Sequence, residues 1–213
     1  MRLGLRVAPE HRNAPPSPLQ PVRLLLLGAP GSGKGTQGTR LAERWGARHV
    51  STGDLLRTQV AEKTELGLEV APYMLRGDLV PDELVLEMVL EDVLGEDSPP
   101  AFVLDGFPRT VAQAQAAYAR ATTTDRVLHA VVCLDIGHDE LIARLEQRGR
   151  ETGRSDDDAA TVLHRIEEYE RKTLPLLDYY AERGILVRVD AVGEVDEVTQ
   201  RVSAALGELL GAS

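Results

Sequence analysis

An α/β fold, with a doubly wound five-stranded parallel sheet and helices on both faces, is predicted by three features of the sequence. Short continuous apolar runs alternate with longer segments of helical period, so strand and helix follow one another along the chain. The runs are mainly apolar or β-branched, as suits strands buried on both faces. The chain has 213 residues, 43% hydrophobic and only 4% aromatic, enough for one aliphatic core that needs neither metal nor disulfide to hold it.

Residues Met1 to Pro21 stand apart. Pro9, Pro15, Pro16, Pro18 and Pro21 crowd a stretch without apolar periodicity, which reads as a disordered tail. It lacks the apolar centre of a secretory signal. Arg2, Arg6 and Arg12 would suit an organelle transit peptide, but the prolines spoil its amphipathic helix. A single domain then runs from Val22 to the end. Val22 to Leu27 is the first strand, and a helix over Lys34 to Trp45 follows it. Ala47 to Val50 is a weaker strand that leads into a helix over Thr52 to Ala61, with Ser51 as its N-cap and Asp54 three residues on. A helix over Pro81 to Leu94 precedes the strand Ala101 to Leu104. Thr110-x-x-Gln113 reads as a capping box opening a helix over Val111 to Ala121. Leu128 to Leu134 is the next strand, followed by helices over Asp139 to Arg148 and Asp157 to Leu174. Gly184 to Val189 is the last strand and Glu194 to Leu210 the last helix.

Charge narrows the function. With 24 Lys+Arg against 34 Asp+Glu the net charge is −10, which repels nucleic acid and anionic membranes unless the basic groups gather in one place. No apolar run approaches the ~20 residues that span a bilayer. The single cysteine, Cys133, makes neither an internal disulfide nor a multi-cysteine zinc site, and points to a reducing, cytoplasmic setting.

The first strand runs directly into Gly28-Ala29-Pro30-Gly31-Ser32-Gly33-Lys34-Gly35-Thr36, which is Gly-x-x-x-x-Gly-Lys at the start of a helix. This is a P-loop. Its glycines let backbone N–H groups turn inward onto phosphate oxygens, the helix offers its positive end, and Lys34 reaches the β and γ phosphates. A strict P-loop places Ser or Thr next to the lysine, whereas here Gly35 intervenes before Thr36. The chain has only three lysines, and one falls at the motif position. At a second strand end, Asp105 precedes Gly106-Phe107-Pro108-Arg109, where parallel sheets bind their ligands. Asp105 is a candidate for holding Mg²⁺ through water, or alternatively a turn-capping residue.

These residues together resemble the adenylate kinases, in the short-lid form of the nucleoside monophosphate kinases, over nearly the whole chain from Val22 to Gly211. The Lys34-Gly35-Thr36 order then matches the family's own phosphate loop, and the departure from the strict motif disappears. The resemblance implies a P-loop doubly wound sheet with an acceptor-binding helical segment at residues 51–80 and a short lid at residues 148–158. It puts Gly31, Ser32, Gly33, Lys34, Gly35, Thr36, Arg144, Arg148 and Gly193 on ATP. It puts Thr52, Arg57, Met74, Asp78, Leu79, Val80, Gly106, Phe107, Pro108, Arg109 and Gln113 on AMP, with a cis Phe107–Pro108 bond and the Gln113 amide reading the adenine edge.

Arg144 and Arg148 lie four residues apart on one helix face, and Arg154 and Arg165 follow. Alone they would read as a solvated face paired with Glu140, Glu146 and Glu151. The resemblance makes them a phosphate clamp, Arg154 and Arg165 bridging to the acceptor. Asp156 and Asp157 look like the paired lid carboxylates, or acids favoured at a helix N-terminus after Ser155. Only residues 149–153 separate Arg148 from Arg154, so the inserted zinc-binding lid of long-lid relatives has neither room nor cysteines here. Mg²⁺ with ATP is expected, and zinc is not.

The implied activity is reversible transfer of the terminal phosphoryl group of ATP to AMP, giving two ADP and keeping the adenine nucleotides in balance. Lys34, Arg109, Arg144, Arg148, Arg154 and Arg165 would cancel phosphate repulsion around an in-line transfer that needs no general base. None of His11, His49, His129, His138 and His164 falls in a motif. Small-molecule substrates, a monomer, and no nucleic acid or membrane partner complete the expectation. A UMP/CMP kinase shares the loop and lid, but such relatives usually carry Ala and Asn where Thr52 and Gln113 stand. A P-loop switch would need a guanine-reading Asn-Lys-x-Asp, and no lysine here follows an asparagine. A silent nucleotide-binding module is the remaining alternative.

Overall fold

In the computed structural model, which describes residues 21–152 and 159–211, five strands form a single parallel sheet in the order β2-β3-β1-β4-β5. The strands are β1 (Arg23–Leu27), β2 (Arg48–Ser51), β3 (Phe102–Asp105), β4 (Ala130–Asp135) and β5 (Leu186–Asp190). Each stands within a residue or two of its apolar run. β1 is central: Leu24 pairs with Val103 on one side and Ala130 on the other. Leu24, Leu25 and Leu26 are at most 1% exposed, so both faces of this strand are covered, as its uninterrupted leucines require.

The helices are α1 (Lys34–Trp45), α2 (Thr52–Glu62), α3 (Glu65–Arg76), α4 (Asp82–Leu94), α5 (Val111–Thr123), α6 (His138–Thr152), α7 (Ala159–Glu168), α8 (Leu176–Ala181) and α9 (Val195–Gly211). They divide the core in two. Leu25 and Leu104 pack on one face with Leu56, Val70, Val89, Ala114 and Tyr180, drawn from α2, α3, α4, α5 and α8. Leu24 and Leu26 pack on the other with Leu41 of α1 and Val202 and Leu206 of α9. Truncating a leucine in such a site to alanine costs about 2–5 kcal/mol. Cys133 fills the core on the Leu25 face: it is 1% exposed, and burial, helped by the charge of Asp135, pushes its thiol up to about 12.

Two helices escape the periodicity reading. α3 carries Gly67 and Pro72, both of which interrupt a helical pattern. It forms because Thr64 caps it, accepting from the Gly67 N–H at 3.0 Å, and because Val70 is fully buried. Gly67 is needed for its size: a side-chain carbon there would lie 2.0 Å from Gln59 O, so α2 and α3 meet backbone to backbone. α8 is only six residues long and too short to show a period.

The single helix expected over Asp157 to Leu174 is also divided. α7 ends at Glu168 and a π-helical turn follows over Tyr169–Thr173, with the Leu174 N–H donating to Tyr169 O at 2.9 Å, five residues back. Pro175 explains the widening, since its ring would clash with the carbonyl four residues earlier in a regular helix. The expected tail, but for Pro21, and most of the expected lid, including Arg154, Asp156 and Asp157, lie outside the described residues.

Candidate functional site

The C-terminal ends of β1, β2 and β3 open onto one cleft of about 1010 Å³, at the crevice where the chain passes from one side of β1 to the other. This lies at the upper end of small-molecule sites, roughly 300–1,000 Å³, and gives room for more than one nucleotide.

The loop between β1 and α1 forms its floor. Gly28 has φ +145°, and a side-chain carbon there would lie 2.9 Å from Leu134 O, so the turn out of β1 demands glycine. Lys34, at the start of α1, folds back over this loop and donates from Nζ to Gly28 O at 2.8 Å and to Ala29 O at 2.9 Å. The hydroxyl of Ser32 is buried without a hydrogen-bond partner among the described residues. A buried hydroxyl left this way costs about 1–3 kcal/mol, and in a loop built to hold anions a phosphate oxygen is the partner it fits.

Desolvation pulls the Lys34 ammonium down to about 8. Asp105 opposes this, while the positive charges of Arg109, Arg165 and Arg148 add to it. Those three arginines come from the β3–α5 loop, α7 and α6, so segments far apart in sequence bring their charge to a single lysine. Arg57 and Arg144 line the same cleft. Among its described lining residues, six are Lys or Arg and five Asp or Glu, in a chain of net charge −10, so the acidic excess of the chain is not in the cleft.

Several of these cations are held in place. Arg57 pairs with Asp54 one turn earlier on α2. Arg144 donates from Nε to Glu140 at 2.8 Å and from Nη2 to Ala191 O at 3.1 Å, which fixes α6 against the end of β5. Arg109 donates from Nε to Gly106 O at 2.8 Å, within a loop whose Phe107–Pro108 bond is cis, as the resemblance implies. The turn between α3 and α4 touches α7, where His164 Nε2 and Asp78 Oδ1 are 2.8 Å apart. Hydrogen bonds from Arg76 and then His164 hold the Asp78 carboxyl below its usual range.

The cleft brings together Gly31, Ser32, Gly33, Lys34, Gly35, Thr36, Arg57, Leu79, Asp105, Gly106, Pro108, Arg109, Arg144, Arg148, Arg165 and Gly193 from the sequence-derived set. Thr52, Met74, Asp78, Val80, Phe107 and Gln113 are not on its wall. Val80 and Phe107 are buried in the core, and Met74 packs against it. Gln113 is 4% exposed: its Oε1 accepts from the Arg109 N–H at 2.6 Å and its Nε2 donates to Asp82 at 2.6 Å. The capping box is real in part, with Thr110 accepting from the Gln113 N–H.

Sequence reasoning missed others that line the cleft. Glu168, Tyr169 and Thr173 reach it from the end of α7 and its π-helical turn, and His49 reaches it from β2. No motif marks these positions. The π-helical phase that presents Tyr169 and Thr173 is invisible in a pattern read as one α-helix.

A model of the adenylate kinase family matches residues 26–185. The chain is 45% identical over 185 residues to an adenylate kinase of Stenotrophomonas maltophilia, spanning 87% of this chain and 99% of that one. It is 47% identical over 184 residues to an adenylate kinase of Thermus thermophilus, spanning 86% and 96%. With one of Xanthomonas oryzae pv. oryzae it shares 48% over 187 residues, spanning 87% and 100%.

Proposed function

The chain belongs to the adenylate kinase family, and on that premise we propose how its cleft is divided between two nucleotides. The reaction is reversible transfer of the terminal phosphoryl group of ATP to AMP, giving ADP. We assign the loop Gly31 to Thr36, with Arg144, Arg148 and Gly193, to ATP. Arg57, Leu79, Gly106, Pro108 and Arg109 take AMP, and Arg165 stands between the two phosphate chains. The observation that carries this division is the Lys34 environment: Arg109 from the acceptor side, Arg148 from the donor side and Arg165 between them are close enough to bias one ammonium. Phosphates placed among them lie in line for transfer, and guanidinium forks match their geometry. No side chain is needed as a base, because the attacking oxygen is already an ionised phosphate.

Thr52, Met74, Asp78, Val80, Phe107 and Gln113 belong to the acceptor side as backing for residues 51–80, the AMP-binding segment. Gln113 suits the adenine edge because two further hydrogen bonds remain to its amide, one donated and one accepted. Arg154, Asp156 and Asp157 fall in residues 148–158, the lid by the family's pattern. Residues 1–21 are a tail outside the catalytic domain, which runs over residues 22–213.

Mg²⁺ fits the oxygen donors present. Thr36 and Asp105 line the same cleft and offer a hydroxyl and a carboxylate beside the loop. A hard cation prefers such oxygens and keeps part of its water, and when bound it shields the charge of the triphosphate. We also infer a cytoplasmic monomer with nucleotides as its only partners. Its net charge of −10 disfavours nucleic acid, and no described helix is long and apolar enough to cross a membrane.

The test of the division is acceptor choice. With ATP as donor, AMP is expected to exceed CMP and UMP by about 10²-fold or more in kcat/KM, since a site that hydrogen-bonds one base leaves polar groups unpaired with another. Comparable rates with the pyrimidine monophosphates, read as diphosphate formed, would favour the pyrimidine-kinase reading instead.

A further inference from the structure

We propose that Thr173, presented by the π-helical turn after α7, is a positioning residue that sets Arg109 for the acceptor phosphate; this rests on the assignment of Arg109 to AMP. The Thr173 hydroxyl donates to Arg109 O at 2.9 Å, across 64 residues of sequence, and Thr173 is 7% exposed. Two further bonds on Arg109 are local. Gln113, four residues on, accepts from its N–H, and Gly106, three residues back, accepts from its Nε. Those bonds shape the loop but do not fix where the loop stands relative to the helix that carries Arg165. The Thr173 bond does, because Arg165 and Thr173 belong to one continuous helical run and Arg109 to the loop after β3.

The π-helical turn is what makes the contact. It inserts an extra residue into the turn, so side chains beyond Tyr169 are rotated out of the phase that α7 sets. Thr173 is thereby turned onto the Arg109 carbonyl, on the same run whose Tyr169 and Glu168 line the cleft. Two guanidiniums that share one acceptor phosphate must keep a set spacing, and small errors in such spacing are costly for transfer. Thr173 does not act on substrate in this account. It acts through Arg109, by tying the acceptor loop to the arm that carries Arg165.

The test is a double-mutant cycle on the full chain. Thr173→Val keeps the shape and deletes the hydroxyl; kcat/KM for AMP is expected to fall about tenfold, with KM for ATP within about twofold of the parent. Thr173→Ser, which keeps the hydroxyl, is expected to restore AMP kinetics to within about twofold. In an Arg109→Ala background, Thr173→Val is expected to add little further loss, because its effect runs through the missing guanidinium. If Thr173→Val fails to fold, Thr173→Ala enters the same cycle. Full additivity in the double variant, a loss that falls equally on ATP, or no rescue by serine would overturn the proposal. If Arg109→Ala itself leaves AMP kinetics unchanged, the assignment of Arg109 is what fails.

Discussion

Replacing Arg109 with alanine is expected to lower kcat/KM for AMP by about 10²–10³-fold, equivalent to about 3–4 kcal/mol of lost transition-state stabilisation. The size follows from where the side chain stands. Arg109 lines a cleft in which its charge is felt by Lys34, and its guanidinium plane is fixed by the bond from Nε to Gly106 O. A charge-assisted fork to phosphate in a largely desolvated site is worth more than the same contact on a surface, and it strengthens as charge moves during transfer. Arg109→Lys is expected to recover only part of the loss, since an ammonium keeps the charge but not the fork. Steady-state rates with AMP varied and ATP saturating give the answer. Near-normal turnover in the alanine variant would contradict the assignment.

Lys34→Met is expected to reduce kcat by a similar factor, about 10²–10³, and to remove a pH dependence that the parent shows. Methionine is unbranched and fills comparable space, so the loss reports the ammonium. The sign of the pH effect comes from the depressed value in the free protein. At neutral pH Lys34 is protonated both free and bound, and binding exchanges no proton there. Between about 8 and the ordinary lysine value of 10.5 the free protein has lost the proton. A triphosphate favours the charged form, so ATP binding in that window takes up a proton, and affinity falls as pH rises, by up to about tenfold per unit. Calorimetry in buffers of different ionisation heat measures the uptake. Proton uptake at alkaline pH that persists undiminished in Lys34→Met would assign it to another group.

What the sequence made legible was whatever a local rule specifies. The leucines of β1 and the glycines after them fix a buried strand and a phosphate-binding turn, and α1 begins at Lys34 because the loop geometry leaves it no other start. Ser51 caps α2 as its spacing from Asp54 requires. Lys34, Arg57, Arg109, Arg144, Arg148 and Arg165 could be named singly, but their convergence is a product of sheet order, which no local pattern encodes. Three features stayed hidden for physical reasons. α3 contains the residues that break helices and is held by a cap and by tertiary packing instead. The π-helical turn at Tyr169 is a one-residue change of phase inside an otherwise helical pattern. Gln113 reads as a cap or, by the resemblance, as a base reader, and its bonds to Arg109 and Asp82 are not in either pattern.

The most direct test follows phosphorus rather than a variant. With ATP, AMP and Mg²⁺ supplied together, phosphorus NMR is expected to show ADP rising at twice the rate at which ATP is lost, with no matching growth of inorganic phosphate. That outcome is what a cleft that passes the phosphoryl group between nucleotides and keeps water from it produces. Inorganic phosphate appearing as fast as ATP disappears, or ATP loss indifferent to AMP, would contradict the account at its centre.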